Sequence, residues 1–203
     1  MPPRGLRTEI GTRTRTAILD AAIALLGRAG PEGITASAIA REAGVSKATL
    51  FHHFRTIDEI PLVALDRFWA SSIAQRGSAA SSLRGYLSGL GKQVMSLAAG
   101  RRRPYLHAHL AFLVKALFDA RLERILASAS GNMHQLTANE IARRLPTRRA
   151  EDVEMTARMV EMILDGMMIG LAVQRGRKSR ELSARAWRRF LDLLLRETAD
   201  HQA

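Results

Sequence analysis

The feature that most constrains the fold of this chain is the helical spacing of its apolar residues along nearly the whole length. Between residues 14 and 29, Ile, Ala and Leu recur at intervals of three and four, which places them on one stripe of a helix. No stretch alternates apolar and polar residues as a half-buried strand does. Hydrophobic residues make up 47% of the 203 residues and aromatic residues only 5%, a balance typical of helices that pack through Ala and Leu. The sequence therefore predicts an all-α fold.

Helix-breaking and helix-capping residues divide this pattern into segments. Gly30 and Pro31 end the first predicted helix. Thr35 and Ser46 can cap the second and third helices, and Gly44 supplies the left-handed residue that a sharp turn between them requires. The predicted helices span residues 14–29, 35–43, 46–54, 56 or 58 to 75, 82–98, 104–118, 120–145, 148–174 and 180–199.

The second and third helices have the spacing of a helix-turn-helix, in which a short turn that contains glycine joins two helices. At about 100° per residue, Leu50 and Phe54 share one face of the third helix and are expected to pack inward. The opposite face and its flanks consist of Lys47, Ala48, Thr49, Phe51, His52 and Arg55. This face is small and polar at its N-terminal end and cationic at the other, so the helix can enter the major groove of DNA.

Residues 18–60, ILDAAIALLGRAGPEGITASAIAREAGVSKATLFHHFRTIDEI, resemble the DNA-binding head of the tetracycline-repressor (TetR) family of transcriptional regulators. The matching motifs are the Ile-Leu-x-Ala-Ala start, Ile-Ala-x-x-Ala-Gly-Val-Ser, and Thr-Leu-Phe-x-His-Phe. The resemblance implies an N-terminal three-helix DNA-binding head and a C-terminal helical body for ligand binding and dimerisation. We expect a basic flexible arm over residues 1–13, the head over 14–56, and the body over 57–203, with the fourth helix as connector.

The resemblance also implies which residues contact DNA. They are Thr35, Ser37, Ser46, Lys47, Ala48, Thr49, Phe51, His52, His53 and Arg55. Thr35 and Ser37 meet the DNA backbone or a base, Lys47, Ala48 and Thr49 face base edges, and Phe51, His52 and His53 approach phosphates. The family usually has Tyr in place of Phe51 and Lys in place of Ile57. Arg55 could supply the missing cation.

The most informative stretch of the body is TARMVEMILDGMMIGLAV, residues 156–173. Its apolar stripe contains two glycines four residues apart, which allow another helix to approach closely. In the family that the chain resembles, the last two helices form a four-helix bundle with those of a second protomer. We therefore expect a homodimer with an interface that includes Met159, Gly166, Gly170, Trp187 and Leu194. The alternative is that these stripes belong to the intramolecular core.

Flexible thioethers and a few polar rings in the middle helices suit an adaptable apolar pocket. The candidate effector contacts are Met95, Tyr105, His107, Phe112, Met133 and Asp165. An ordinary core position is the alternative for each of them. The pocket is expected between the fourth helix and the helix over 148–174, and its ligand is expected to be small and mostly apolar. The arginine surplus of the body favours an anionic group on that ligand, whereas Asp165 favours a cationic one.

The charge balance indicates a polyanionic partner. Lys and Arg number 31 against 19 Asp and Glu, a formal net charge of +12. Arginine runs at residues 101–103 and 175–180 place much of this excess in the body. The charge therefore supports binding to double-stranded DNA without locating it.

Several kinds of site are excluded or disfavoured. Cysteine is absent, which excludes disulfides, thiolate zinc sites and cysteine nucleophiles. His52 and His53 are adjacent, and His107 and His109 are two apart, whereas metal-binding helices separate their ligands by three or four residues. No nucleophile elbow, phosphate-binding glycine loop or supported acid–base pair is present. We expect no metal, no cofactor, no catalytic residue and no enzymatic activity.

The sequence also predicts where the protein works. No apolar run approaches the ~20 residues that a membrane span needs, and the start does not resemble a signal peptide. We expect a soluble, cytoplasmic, ligand-responsive transcriptional regulator, most often a repressor in this family, released from a palindromic operator by a small-molecule effector. The alternatives are an effector-independent helical or architectural DNA-binding protein, and a protein-interaction module that keeps the head only as structure.

Overall fold

The computed structural model describes residues 4–99, 102–174 and 176–200. Within those ranges the chain forms nine α-helices, one short 3-10 turn over Pro31–Gly33, and no strand. The helices are α1 (Arg4–Ala29), α2 (Ala36–Glu42), α3 (Lys47–His53), α4 (Glu59–Ala79), α5 (Leu83–Leu97), α6 (Arg103–Ala116), α7 (Ala120–Ala142), α8 (Ala150–Val173) and α9 (Arg177–Asp200). The prediction of an all-α fold is confirmed. Among the described helices, none has the length and apolar character needed to cross a membrane.

The predicted caps of the helix-turn-helix are confirmed. Thr35 Oγ1 accepts a hydrogen bond from the N–H of Ala38 at 3.1 Å, and Ser46 Oγ accepts one from the N–H of Thr49 at 3.0 Å. Gly44, in the turn between the two helices, has a φ of 66°. A residue with a Cβ rarely adopts this left-handed conformation, so the glycine permits the sharp turn.

The start of α1 differs from the prediction. The helix begins at Arg4, ten residues before the predicted start, so the segment expected to be a flexible arm is helical from that residue onward. The segment contains two glycines, Gly5 and Gly11, and no proline after residue 3. Once the later turns of α1 are packed, each residue added at the front gains a backbone hydrogen bond at little further cost. Residues 1–3 of the predicted arm lie outside the described part of the chain.

The described residues divide into two compact units. Unit 1 comprises residues 4–68 and 103–130, and unit 2 comprises residues 69–99, 102, 131–174 and 176–200. Helices α4 and α7 contribute residues to both. This division differs from the predicted boundary after residue 56, because α6 and the first half of α7 share an apolar cluster with α1 and the start of α4. The functional assignment of arm, head and body stays a prediction.

Two apolar clusters form the core of unit 1. The first joins α1, α2, α3 and the start of α4 through Ile18, Leu19, Ala22, Leu25, Ile39, Leu50, Phe54 and Ile60. The second joins α1 and α4 to α6 and α7 through Leu26, Leu62, Leu65, Ala108, Phe112, Ala116 and Leu122. Helix α6 lies so close to α1 that a Cβ on Gly27 would overlap the ring of Tyr105. The helix-turn-helix is therefore one part of a larger packed unit.

The core of unit 2 is built from α5, α8 and α9 with the ends of α4 and α7. Its buried residues include Ile73, Leu83, Tyr86, Leu87, Leu90, Ile141, Val153, Val160, Trp187, Leu191 and Leu194. The indole of Trp187 lies directly against Gly91, where a Cβ would overlap it. The buried guanidinium of Arg144 donates to the carbonyl oxygens of Gly77 at 2.8 Å and Ala80 at 2.7 Å. This contact ties the end of α4 to α7.

Candidate nucleic-acid interface

The inward face of α3 is the one predicted from the sequence. Leu50 is 0% exposed and Phe54, at the end of the helix, is 4% exposed, and both pack in one cluster with Ile39 of α2. The guanidinium of Arg15 lies 4.9 Å from the centroid of the Phe54 ring, at cation–π distance. Because these contacts fix how α3 is rotated on α1 and α2, they also decide which of its residues face solvent.

The opposite face of α3 is open to solvent. The exposed residues of this face are Lys47, Ala48, Phe51 and His52 on α3. Arg55, in the turn that follows the helix, is exposed as well. Thr49 is half-buried, and its hydroxyl oxygen lies 2.9 Å from that of Ser46. The face thus carries a lysine and a hydroxyl at its N-terminal end and a histidine and an arginine at its C-terminal end. This arrangement suits base edges flanked by phosphates.

Both predicted contacts on α2, Thr35 and Ser37, are exposed. The hydroxyl oxygen of Thr35 accepts the capping hydrogen bond, so its proton can donate to a phosphate oxygen. Helix α2 is attached to α1 by a bidentate pair in which the guanidinium of Arg28 donates to the Glu42 carboxylate at 3.0 and 2.8 Å. The side chains that would meet DNA are therefore carried by helices with fixed neighbours.

His53 differs electrostatically from the rest of this surface. It is half-buried, and burial lowers its pKa, with further lowering by the neighbouring His52 and Arg15. A histidine whose pKa lies below the ordinary value near 6.5 is neutral at pH 7. His53 is therefore suited to donate an N–H to a phosphate, while the positive charge at this end comes from Arg55.

The family's usual lysine position is occupied by a residue that faces inward. Ile57 is half-buried and packs against the core of the helix-turn-helix. Arg55 is exposed, and its backbone N–H donates to Glu59 Oε2 at 3.1 Å. The structure thus leaves the Arg55 side chain as the nearby cation, and its contact with DNA stays a prediction.

The six predicted effector contacts do not all belong to one unit. Tyr105, His107 and Phe112 lie in unit 1, whereas Met95, Met133 and Asp165 lie in unit 2. Phe112 is 6% exposed and belongs to the core of unit 1. Tyr105 stacks on Phe68 with ring centroids 5.9 Å apart and covers Gly27. Both residues pack against neighbouring helices, and their role as effector contacts stays a prediction.

The other four predicted effector contacts have mixed surroundings. Met95 and His107 are half-buried, Met133 is half-buried against the core of unit 2, and Asp165 is exposed on α8. Nearby in the sequence, burial lowers the pKa of His109 to about 4, so this histidine is neutral at pH 7.

The predicted dimer interface needs a correction at two residues. Trp187 and Leu194 are 3% and 4% exposed and belong to the core of unit 2. They were expected on a shared apolar stripe of the last helix, but the stripe that contains them packs on α5 within the same chain. Met159 and Gly166 are exposed and Gly170 is half-buried, so these three remain candidates for the interface.

A continuous apolar stripe of α8 is open to solvent. Its members are Met155, Met159, Met162, Gly166, Ile169, Gly170 and Val173, which recur at three and four residues. A Cβ on either glycine would meet nothing within 4 Å among the described residues. Helix α9 exposes two large apolar side chains of its own, Leu182 and Leu193. Exposed apolar patches of this kind mark surfaces that other molecules cover.

Two ion pairs behind α3 were not foreseen from the sequence. The Nζ of Lys115 on α6 lies 2.7 Å from Asp58 Oδ1, and the guanidinium of Arg121 on α7 contacts the carboxylate of Glu59. The only local signal is that two acidic residues begin α4, which usually indicates a favourable helix start. Their partners follow more than fifty residues later, and nothing in the spacing identifies them.

The remaining titratable groups of the described residues do not form a metal site. No group of three or more His, Asp or Glu side chains there is arranged to hold a metal ion. His134 does lie between two carboxylates, those of Glu154 and Glu161. Each ring nitrogen faces a different carboxylate, so the imidazole separates them and the three groups cannot converge on one ion.

An all-helical chain whose short glycine-linked helices expose a polar, cationic recognition face belongs to the helix-turn-helix class of DNA-binding proteins. The model of "bacterial regulatory proteins, tetR family" matches residues 18–62, and that of "BetI-type transcriptional repressor, C-terminal" matches residues 83–196. The chain belongs to the tetR family of bacterial transcriptional regulators. Members of this family are regulators, not enzymes.

Known proteins show the same similarity over nearly the full length. The chain is 25% identical over 205 aligned residues to the HTH-type transcriptional regulator BetI of Burkholderia ambifaria, covering 96% of this chain and 98% of that protein. A transcriptional regulator from Saccharomonospora viridis, solved in complex with choline, is 23% identical with a TM-score of 0.62, covering 89% and 96% of the two chains. The multidrug binding protein EbrR, solved with ethidium, is 22% identical with a TM-score of 0.62, covering 87% and 97%.

Proposed function

We propose that this regulator is a homodimeric repressor that binds a two-fold symmetric operator and leaves it when a small organic molecule binds. The observation that carries the proposal is the exposed face of α3, which presents Lys47 and the half-buried Thr49, with Arg55 exposed in the following turn. Leu50 and Phe54 fix the helix in the core. A rigid helix with this composition can place side chains against base edges. Membership of a family of regulators gives that face its biological context.

The proposed dimer rests on the open stripe of α8. Met159 and Met162 are 39% and 66% exposed, and Ile169 and Val173 are 54% and 75% exposed. Leaving so many large apolar side chains in water on one helix face is unfavourable, and each buried one contributes about 1.5–3 kcal/mol. The glycines on the stripe leave space for a partner helix. A second copy of the chain, presenting the same stripe about a two-fold axis, satisfies both observations.

We propose that the effector is an organic cation. Two relatives of this fold were solved with choline and with ethidium, both of which are cations. In unit 2 of this chain, Glu161 Oε1 is buried and has no hydrogen bond among the described residues. Burial raises the pKa of the nearby Tyr86 to about 12, and the Glu161 carboxylate contributes to the rise. Glu161 Oε2 contacts His134, but the buried Oε1 has no donor within the described part of the chain, and a buried carboxylate oxygen without a donor favours a cation over an anion.

This proposal reverses the preference for an anionic ligand that the arginine surplus suggested. Several arginines of unit 2 are already paired within the chain. Arg144 and Arg143 contact Glu140 at 2.5 and 2.8 Å, and Arg84 contacts Asp192 at 2.8 Å. A paired guanidinium offers little to an incoming anion, so the bulk count overstates how many cations a ligand would meet.

The operator proposal is tested by selection. The wild-type protein is used to enrich duplexes from a random-sequence library, with excess competitor DNA present. We expect a palindromic consensus whose binding survives competitor. Binding that shows no consensus and fades steeply with salt would instead support an effector-independent, charge-driven DNA-binding protein.

The effector proposal is tested with matched ligands. Thermal unfolding is measured with choline, with other organic cations, and with 3,3-dimethylbutan-1-ol, in which carbon replaces the quaternary nitrogen. We expect a cation, but not the neutral alcohol, to raise the midpoint, and we expect Glu161→Gln to remove that rise. The same cation should release the selected duplex in proportion to its preference for the DNA-free form. Equal stabilisation by the neutral alcohol would contradict the cation proposal.

A further inference from the structure

We propose that two ion pairs behind the recognition helix, Asp58–Lys115 and Glu59–Arg121, are positioning elements for DNA recognition. We call them the turn ion pairs, because both acids lie at the turn that joins α3 to α4. The proposal rests on the proposed role of α3 as the DNA-contacting helix, and it is independent of the effector. Lys115 on α6 and Arg121 on α7, which lie outside the predicted recognition face of α3, would thereby determine specific operator affinity.

The backbone just after α3 is hydrogen-bonded to the start of α4. The carboxylate of Glu59 accepts the backbone N–H of Arg55 at 3.1 Å through Oε2. Arg55 follows the last residue of α3 by two positions, so this hydrogen bond fixes the backbone directly behind His52 and His53. His52 and His53 are predicted phosphate contacts, and Arg55 is the predicted substitute for the family's usual lysine. A shift of the Glu59 carboxylate would therefore move the end of the recognition surface.

Glu59 is in turn held by Arg121. Its side chain is only 8% exposed, and the guanidinium of Arg121 on α7 contacts its carboxylate. A buried carboxylate is costly unless it is paired, so the favourable position of Glu59 depends on the arginine. The recognition-helix backbone is thus joined to α7 by a chain of two polar contacts, from Arg55 to Glu59 to Arg121.

The other turn ion pair joins the same turn to α6. Lys115 Nζ on α6 lies 2.7 Å from Asp58 Oδ1, one residue before Glu59. The side chains of Lys115 and Asp58 are 51% and 31% exposed. An isolated pair with this exposure adds little to the free energy of unfolding. Its effect on the turn can therefore be changed by mutation without unfolding the protein.

The apolar core supports the same connection. Leu62 and Leu65, one and two turns into α4, pack in one cluster with Phe112 of α6 and Leu122 of α7. The turn ion pairs fix the start of α4 to the same two helices. The turn behind α3 is therefore held from α6 and α7 by both polar and apolar contacts, within a single compact unit.

The experiment uses charge exchange in the full-length protein. Four proteins are compared: wild type, Lys115→Asp, Asp58→Lys, and the double exchange Asp58→Lys with Lys115→Asp. The matched control is Arg84→Asp, which breaks an ion pair of unit 2 with a length of 2.8 Å and side-chain exposures of 53% and 42%. It changes the net charge as Lys115→Asp does. Affinity is measured for the duplex that wild-type protein selects from a random library and for a scrambled duplex.

We expect each single variant to lose about three- to thirtyfold in affinity for the selected duplex relative to the scrambled one, in the range of energetic coupling through packed contacts. The double exchange should restore most of the loss, because it re-forms the pair with opposite polarity. Arg84→Asp should leave the ratio of the two affinities unchanged. Circular dichroism and thermal unfolding are used to check that each variant is folded. If Lys115→Asp does not fold, Lys115→Gln is used in its place.

The second pair is tested separately. Glu59→Gln keeps an acceptor for the Arg55 N–H but removes the charge that attracts Arg121, and Arg121→Gln removes the partner. We expect both variants to reduce the ratio of affinities for the selected and the scrambled duplex. Arg121→Lys should reduce this ratio less than Arg121→Gln does.

The outcomes separate the two proposals. If wild-type protein selects a consensus and all turn variants keep its affinity ratio, the positioning role is wrong while the DNA-binding proposal stands. The positioning role is also wrong if the single variants lose affinity but the double exchange restores none of it. If wild-type protein selects no consensus, the proposed function fails and the positioning role fails with it.

Discussion

His134 on α7 is hydrogen-bonded to Glu161 on α8, with Nδ1 2.9 Å from Oε2. Its other ring nitrogen, Nε2, contacts the carboxylate of Glu154, two turns earlier on the same helix. A neutral imidazole has one N–H and one lone pair, so it can satisfy only one of two ionised carboxylates, whereas an imidazolium satisfies both. The contacts with Glu154 and then Glu161 raise the pKa of His134, and burial and Arg158 oppose the rise.

This arrangement predicts a pH-dependent stability. Because the folded-state pKa of His134 is raised above its unfolded value of about 6.5, its stabilising contribution is complete below that pH and is lost as the pH rises through the folded-state pKa. Urea unfolding of wild type and His134→Gln is compared from slightly acidic to alkaline pH. We expect the difference in the free energy of unfolding to shrink as the pH rises. A difference that is constant or grows with pH would contradict the charged bridge.

A second prediction concerns the packing of unit 2. Gly91→Ala adds a Cβ that overlaps the indole of Trp187, whereas Gly131→Ala adds one that meets nothing within 4 Å. We expect the first to destabilise the protein by about 1–3 kcal/mol, as overpacking does. The second, on exposed helix α7, should stabilise it by about 0.5–1 kcal/mol through helix propensity. Denaturant unfolding measures both, and equal effects would show that the tryptophan is not held against Gly91.

A third prediction concerns the dimer. Gly170→Leu places a large side chain on the open stripe of α8, where the single chain has space for a Cβ. We expect it to weaken dimerisation without unfolding the monomer, because the overlap arises only with a second protomer. Gly131→Leu, an exposed glycine on α7, is the matched control and should leave the association unchanged. Sedimentation that finds Gly170→Leu as stable a dimer as wild type would place the interface elsewhere.

A fourth prediction concerns base contacts. Lys47→Ala and Thr49→Ala should each weaken binding to the selected duplex by about 1–3 kcal/mol if these side chains meet base edges. Thr49→Ser keeps the hydroxyl, which lies 2.9 Å from that of Ser46, and should lose less than Thr49→Ala. The affinities are measured by fluorescence anisotropy on the selected duplex and on single-base variants of it. Unchanged affinity and sequence preference in Lys47→Ala would mean that α3 does not dock as proposed.

Local features of this fold were predictable because their causes are local. The caps at Thr35 and Ser46, the left-handed Gly44 and the inward Leu50 depend only on neighbouring residues and on helical spacing. The start of α1 was missed, because weak helix-forming residues such as those around Gly11 extend a helix only when later turns are packed.

Features that depend on distant residues were not predictable. An apolar stripe shows that one face of α9 is buried, but not that Trp187 packs on Gly91 while Leu193 stays exposed. The same limit applies to Asp58 and Lys115, where the pairing depends on tertiary structure and leaves no pattern in a single sequence. The exposed face of α3 was therefore foreseen, while the ion pairs that join the following turn to α6 and α7 were not.

The proposed repressor requires two protomers on one symmetric site. Its most direct test is hydroxyl-radical footprinting on the selected duplex, with the number of bound chains determined by mass photometry. We predict two chains on two protected half-sites related by a two-fold axis, with centres about one helical turn apart, ~34–36 Å, or slightly more. A single protected half-site occupied by one chain, or uniform protection without sequence preference, would contradict the proposed dimeric repressor.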